Sequence, residues 1–198
     1  MGSHKPSLAL APDSPPLGAI ALRSMLACDK LDRIAVVVNL SDALAWLSDP
    51  SLDADRERIR IVRCAEAEWG MSYSLKAGLR DIRSYGTDGV VVALADQPFI
   101  AVATLDRLVE AFASDPAADY AACHCEGVPM PPVLLGPRMY GAIEQLAGDA
   151  GAGKLLRSGE WGGKSVAVGR KDELMDIDDP FQLEQARRMW RTRAERRG

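Results

Sequence analysis

The chain has 198 residues, 47% of them hydrophobic and 26% charged, which suits one globular domain with a sizeable core and excludes an intrinsically disordered chain. Its net charge of -4 excludes a general nucleic-acid binder, which carries a strong basic excess. No apolar run approaches the roughly 20 residues that span a bilayer, and no secretory leader is visible, so the expected setting is cytoplasmic, without a membrane partner.

Candidate strands and helices alternate along the chain. Arg33 to Asn39 reads RIAVVVN, a short β-branched run that predicts a buried strand. Arg58 to Arg63, RIRIVR, predicts a second. Leu75, Leu79 and Ile82 recur at helical spacing. Gly89 to Ala95, GVVVALA, is apolar on both faces, as a central parallel strand must be. Val102, Leu105, Leu108, Val109 and Phe112 form another apolar helical stripe. Asp179-Pro180 reads as the N-cap and first residue of a final helix, with Phe181, Leu183, Ala186 and Trp190 as its buried face. Residues 187–198 hold six Arg and one Glu, read as a solvated helix end. Strands alternating with helices predict a single α/β domain over residues 1–198, with ligands bound beyond the carboxyl ends of its strands.

Three segments carry candidate chemistry. Asp96 follows directly on the apolar strand, and Pro98 stops that strand, so its carboxylate is expected at the strand's carboxyl edge. Such a group can hold Mg²⁺ together with substrate phosphates, or merely cap a helix. Gly70-Met71-Ser72-Tyr73-Ser74 leads into a helix and offers backbone N–H groups and hydroxyls to a nucleotide, with Ser72 also a candidate N-cap. Asp176, Asp178 and Asp179 crowd the end of a presumed strand; Asp179 reads as a cap, while Asp176 and Asp178 are candidate metal ligands.

Two further patterns are set aside. Gly148 to Lys154 imitates a phosphate loop, but Leu155 stands where Ser or Thr must hold the metal, and Met139 to Ala147 before it reads as a helix. Cys28, Cys64, Cys123 and Cys125 show no disulfide framework, and Cys123-His124-Cys125 lacks the second ligand pair of a zinc site.

Taken in order, these segments resemble the molybdenum cofactor cytidylyltransferases within the molybdopterin nucleotidyltransferase-like family. Gly70 to Leu79 is similar to the family's G-M-x-x-S-L-x-x-G-L stretch, and Leu94, Asp96 and Pro98 to its L-x-D-x-P strand end. Gly127 to Leu134 resembles G-x-P-x-x-P-V-L, Gly148 to Ala152 the start of G-D-x-G-A-R, and Asp176 to Pro180 the D-I-D-T-P ending. Gly153 stands where the family usually has Arg, and Pro131 where Gly is common. Family members open with a strand and a loop close to A-A-G-x-S-x-R-M-G-x-x-K. Met1, Gly2 and Lys5 look like the end of that loop, and the strand before it is missing from the sequence. Met1-Gly2-Ser3-His4 also resembles a tag remnant, but Lys5, Leu8 and Leu10 continue the family pattern in register.

The resemblance implies a three-layer Rossmann-like nucleotidyltransferase fold with a mostly parallel central sheet. It implies transfer of a nucleoside monophosphate, with CTP favoured over GTP, to molybdopterin for a molybdenum hydroxylase client. Lys5 and Asp96 are the implied catalytic residues. Gly2, Lys5, Gly70, Ser72 and Ser74 are implied to border the nucleotide, and Asp96, Asp178 and Asp176 to hold Mg²⁺. The competing expectation is a non-catalytic accessory protein that hands cofactor to a xanthine dehydrogenase-type enzyme.

Overall fold

A computed structural model of the chain describes residues 4–195. After a 3-10 turn at Lys5–Ser7, the regular elements run α1 (Leu17–Leu26), β1 (Ile34–Asn39), β2 (Ile59–Cys64), α2 (Met71–Arg83), β3 (Val90–Val92), α3 (Val102–Ala113), β4 (Tyr120–Cys125), β5 (Val128–Leu135), α4 (Tyr140–Glu144), α5 (Ala152–Leu156), β6 (Gly163–Val166) and α6 (Pro180–Glu195). The fold is α/β and Rossmann-like. No helix among the described residues is long and apolar enough to cross a membrane.

The strands form two ladders rather than the one sheet expected. β1 pairs with β2 in parallel, Ile34 opposite Ile59, while the other four run in the order β3-β5-β4-β6. In the larger ladder β4 and β6 are parallel, and β5 runs antiparallel to both β3 and β4.

Sequence reading placed β1 and β2 within a residue of their ends but overextended β3. Its ladder with β5 stops where Val92 meets Val133, because the next residues of β5, Pro132 and Pro131, have no N–H to donate. Three prolines also hid β5 itself. The β4–β5 ladder steps from Ala122↔Val133 to Cys123↔Met130, so Pro131 and Pro132 bulge out of it. Glu126 (φ 52°) and Gly127 (φ 82°) supply the two left-handed residues of the tight turn between these strands.

Side chains alternate along the strands and define the layers. Ile34, Val36 and Val38 pack with Ala19, Leu22 and Leu26 of α1. Val90 and Val92 pack with Leu75 and Leu79 of α2, and Val91 with Leu105 and Leu108 of α3. In α6, Leu183 and Ala186 are buried and Trp190 is half-buried. Phe181, expected on that face, is 78% exposed: it precedes Leu183 by two residues, about 200° around the helix.

Candidate active site

Asp96 sits just past the end of β3. Its backbone C=O accepts a hydrogen bond from Ile177 N (3.1 Å), which fastens the loop carrying Asp96 to the stretch carrying Asp176 and Asp178. The strand expected before Asp176 is replaced by a 3-10 turn at Lys171–Leu174. Gln97 secures the same junction from inside. It is fully buried, and its Nε2 donates to Leu174 O at 3.2 Å. Sequence reading passed over Gln97; the signal was a polar residue held between Asp96 and Pro98 in an apolar stretch.

Lys5 is brought to these acids from the far end of the chain. Its ammonium donates to Asp178 Oδ1 at 2.5 Å and lies 3.6 Å from Asp96 Oδ2. The bond to Asp178 is the main reason the Lys5 ammonium holds its proton above the ordinary lysine range. Asp96 shows the opposite balance. Burial pushes its carboxyl above the usual range, Lys5 opposes this, and the neighbouring Asp178 and Asp176 charges add to the push. The three acids and Lys5 thus form one electrostatic cluster, with Asp178 exposed and Asp96 three-quarters buried.

Asp179 and Gln182 form a reciprocal cap at the start of α6. Gln182 N donates to Asp179 Oδ1 (2.7 Å), while Gln182 Oε1 accepts from the backbone N–H groups of Asp178 (2.7 Å) and Asp179 (3.0 Å). This cap fixes the backbone that presents Asp178.

The second half of the site is the N-terminus of α2, which begins four residues earlier than its apolar spacing predicted. Gly70 is its N-cap, at φ +129° and ψ 168°. A Cβ there would lie 2.2 Å from the backbone carbon of Gly148, so the turn at Gly148–Gly151 and the helix start are in direct contact. Ser72 N donates to Gly148 O at 3.1 Å across that contact. Ser72 is therefore not the cap that sequence spacing allowed: it is fully buried, and its Oγ has no partner among the described residues. Ser74 is half-buried and lines the cavity described next. The segment that imitates a phosphate loop is the partner of this helix start, preceded by helix α4 rather than a strand.

One cavity of about 1450 Å³ runs from the start of α2 to the chain neighbours of Lys5 and Asp96, which do not line it themselves. Its walls include His4 and Pro6 beside Lys5, Ala95 beside Asp96, Met71 and Ser74 at the start of α2, and Asp149 to Lys154. Gly2 lies outside the described residues. His4 was not singled out from sequence; its Nε2 meets Asp42 Oδ2 at 3.0 Å and ties the first turn to the loop after β1.

Among the described residues no three His, Cys, Asp or Glu side chains converge as a metal cage. Asp96 and Asp178 nevertheless suit Mg²⁺, which takes one or two carboxylates and completes its shell with substrate phosphates and water. A cation would offset the desolvation of the Asp96 carboxylate and its repulsion by Asp178 and Asp176. Cys123-His124-Cys125 forms no such site. Cys123 is buried, with its thiol pushed up to about 12, Cys125 is exposed, and His124 Nδ1 bonds to Ala122 O (3.1 Å) and Ser165 Oγ (3.0 Å).

The model of the MobA-like NTP transferase domain matches residues 1–166, the span that holds Lys5, Asp96 and the α2 start. The chain belongs to the MobA-like NTP transferase family. It is 33% identical over 191 residues to the Purine catabolism protein PucB of Bacillus subtilis, covering 95% of this chain and 90% of that protein. Among solved structures it resembles Rv0371c of Mycobacterium tuberculosis, with a TM-score of 0.73, 22% identity and coverage of 95% and 91% of the two chains. Rv0371c has also been solved in complex with manganese, where the TM-score is 0.68 at 21% identity, covering 93% of this chain and 91% of that one. A 4-diphosphocytidyl-2C-methyl-D-erythritol synthase from Anaerococcus prevotii matches with a TM-score of 0.72 at 12% identity, covering 96% and 92%. These structures share the fold of a nucleotidyltransferase domain.

Proposed function

We propose that the chain transfers CMP from CTP to the phosphate of molybdopterin, with release of pyrophosphate. The observation that carries this reading is the Lys5 ammonium held between Asp178 and Asp96, next to residues that line a cavity reaching the N-terminus of α2. A pterin phosphate oxygen forms the new bond to the α-phosphorus of CTP. The bond from that phosphorus to the bridging oxygen breaks, and pyrophosphate carries the charge away. Lys5 leaves the carboxylates and meets triphosphate oxygens. Backbone N–H groups at the start of α2, with Ser74, border the nucleotide. Asp96 and Asp178 would hold Mg²⁺, which neutralises charge on the leaving group when bound. The manganese complex of Rv0371c supports a divalent ion at a site of this fold. The protein's contribution is positioning and charge, with no covalent intermediate.

A second reading fits the purine-catabolism name of the Bacillus relative: delivery of cofactor to a xanthine dehydrogenase-type hydroxylase without nucleotide transfer. The two acids around Lys5 favour the enzyme, since a carrier needs no such pair. Pyrophosphate release, measured with Mg²⁺, molybdopterin and each of CTP, GTP and ATP, separates the readings. The expected result is turnover fastest with CTP and reduced at least about 100-fold in Asp96→Asn. Pterin binding without turnover with any nucleotide would establish the carrier instead.

A further inference from the structure

A second cavity, of about 1110 Å³, lies on the other side of α1 and shares no lining residue with the first. Ala21, Leu22 and Met25 of α1 line the first cavity, whereas Ile20, Arg23 and Ser24 line the second. Residues 98–102 form another wall, beginning two positions after Asp96, and α6 contributes Trp190 and Arg193.

Three guanidiniums line this pocket: Arg23, Arg170 and Arg193. Arg170 Nε donates to Asp172 Oδ1 at 2.9 Å, and Arg193 Nη2 reaches Oδ2 of the same carboxylate at 3.3 Å. Arg23 is exposed and joins no ion pair among the described residues. The acids in the walls do not balance these charges. Asp55 is matched by Arg58 at 3.0 Å. Glu173 is buried, and its Oε2 accepts from Thr104 Oγ1 at 2.5 Å, a hydroxyl that Arg107 also bonds at 2.8 Å. Three cations therefore stand against two carboxylates, Asp172 and Glu173, before Arg107 is counted. Arg193 carries the imbalance most directly. Its guanidinium carbon lies 4.2 Å from the centre of the Phe99 ring, and its Nε–H is buried without a partner among the described residues. Burial and then the Arg170 charge push this guanidinium below its ordinary range, although Asp172 opposes them. A buried donor left unpaired is costly, and an oxyanion supplies both the acceptor and the missing charge.

We propose that this pocket binds a small organic acid, with a carboxylate or phosphate group on Arg193, Arg170 and Arg23 and an apolar, ring-sized body against Ile100 and Trp190. Guanidinium forks match the geometry of both oxyanions. The body follows from size: the pocket has the volume of a site for an ordinary small-molecule ligand, far more than one inorganic ion needs. Stacking on Phe99 holds the Arg193 guanidinium in place ahead of the ligand, so less side-chain freedom is lost on binding. The inference does not rest on the nucleotide transfer proposed above, since neither Lys5 nor Asp96 lines this pocket.

The test is proton–nitrogen NMR of the arginine Nε–H groups in the 198-residue chain, titrated at constant ionic strength with benzoate, phenyl phosphate and inorganic phosphate. The Arg193 and Arg170 signals are assigned by their loss in Arg193→Lys and Arg170→Lys. Benzoate or phenyl phosphate should shift both signals saturably below about 10 mM, and whichever binds tighter identifies the oxyanion. Inorganic phosphate should bind at least about 10-fold more weakly, because it has no apolar body to bury. Arg23→Met, at an exposed position, should weaken binding about 10-fold with Tm unchanged, while Asp96→Asn should leave binding as it was. The proposal falls if neither organic anion gives a saturable shift beyond that of sodium chloride, or if inorganic phosphate binds as tightly as phenyl phosphate. It also falls if Arg23→Met binds as well as the parent, or if Asp96→Asn abolishes the shift.

Discussion

Replacing Gly70 with alanine tests the contact that assembles the α2 half of the site. The residue sits at φ +129° and ψ 168°, a region essentially reserved for glycine, where a side chain costs about 1–3 kcal/mol. The new methyl would also lie 2.2 Å from Gly148 carbon, 2.3 Å from its oxygen and 2.7 Å from Asp149 N. All three are backbone atoms, so the turn must move and the bond from Ser72 N to Gly148 O must break. A buried donor left unpaired adds about 1–3 kcal/mol. The expected loss is therefore about 2–6 kcal/mol out of the 5–15 typical of a domain. Urea unfolding should show it as a midpoint lowered by about 1 M or more. Gly86→Ala is the control: its φ is +70° but an added Cβ meets nothing within 4 Å, so it isolates backbone strain at about 1 kcal/mol. If Gly70→Ala proved no more damaging than Gly86→Ala, the contact between the helix start and the Gly148 turn would not be what holds them together.

Three other outcomes are expected. Lys5→Met should make unfolding less sensitive to alkali. Lys5 binds its proton more tightly folded than unfolded, so its contribution is complete below the unfolded lysine value near 10.4 and is lost as pH rises through the higher folded value. The stability difference between parent and variant should therefore be constant through neutral pH and shrink above about pH 10; a difference independent of pH would remove the ion pair with Asp178 as its source. Gln182→Ala should lower stability by about 0.5–2 kcal/mol in denaturant titration, because it removes acceptors from two backbone N–H groups and half of the α6 cap. An unchanged midpoint would mean that water replaces those bonds without loss. In maleimide labelling at pH 7.5, Cys125 should react within minutes, while Cys123, buried and with its thiol pushed up to about 12, stays unmodified until the protein unfolds. Equal labelling of both would show that β4 opens readily.

Much of the site was legible because its chemistry is tied to local grammar. Asp96 could be placed at a strand end because an apolar run stops at an acid followed two residues later by proline. Asp179-Pro180 announced the start of α6 through cap and first-turn preferences that act within a few residues. The order of segments around Gly70, Asp96 and Asp178 carried the family resemblance, and the matched domain covers the first two of them. Other features escaped because their causes are not local. β5 has three prolines and reads as loop; only pairing with β3 and β4, with two of the prolines bulged aside, makes it a strand. Ser72 reads as a cap, but the backbone of Gly148 takes its N–H and burial orphans its hydroxyl.

By itself the sequence determined the α/β class, the ends of β1 and β2, and which acids and hydroxyls stand where strands give way to loops and helices. Periodicity, caps and turn residues act over distances of a few positions, so they survive in a one-dimensional reading. Only the tertiary structure decided that Lys5 reaches Asp178 across 173 positions of chain, that Gln97 locks the acid-bearing loops together, and that β1 and β3 line one cavity. Those relations depend on which elements pack side by side, a choice made by burying apolar faces and pairing backbone groups over the whole domain.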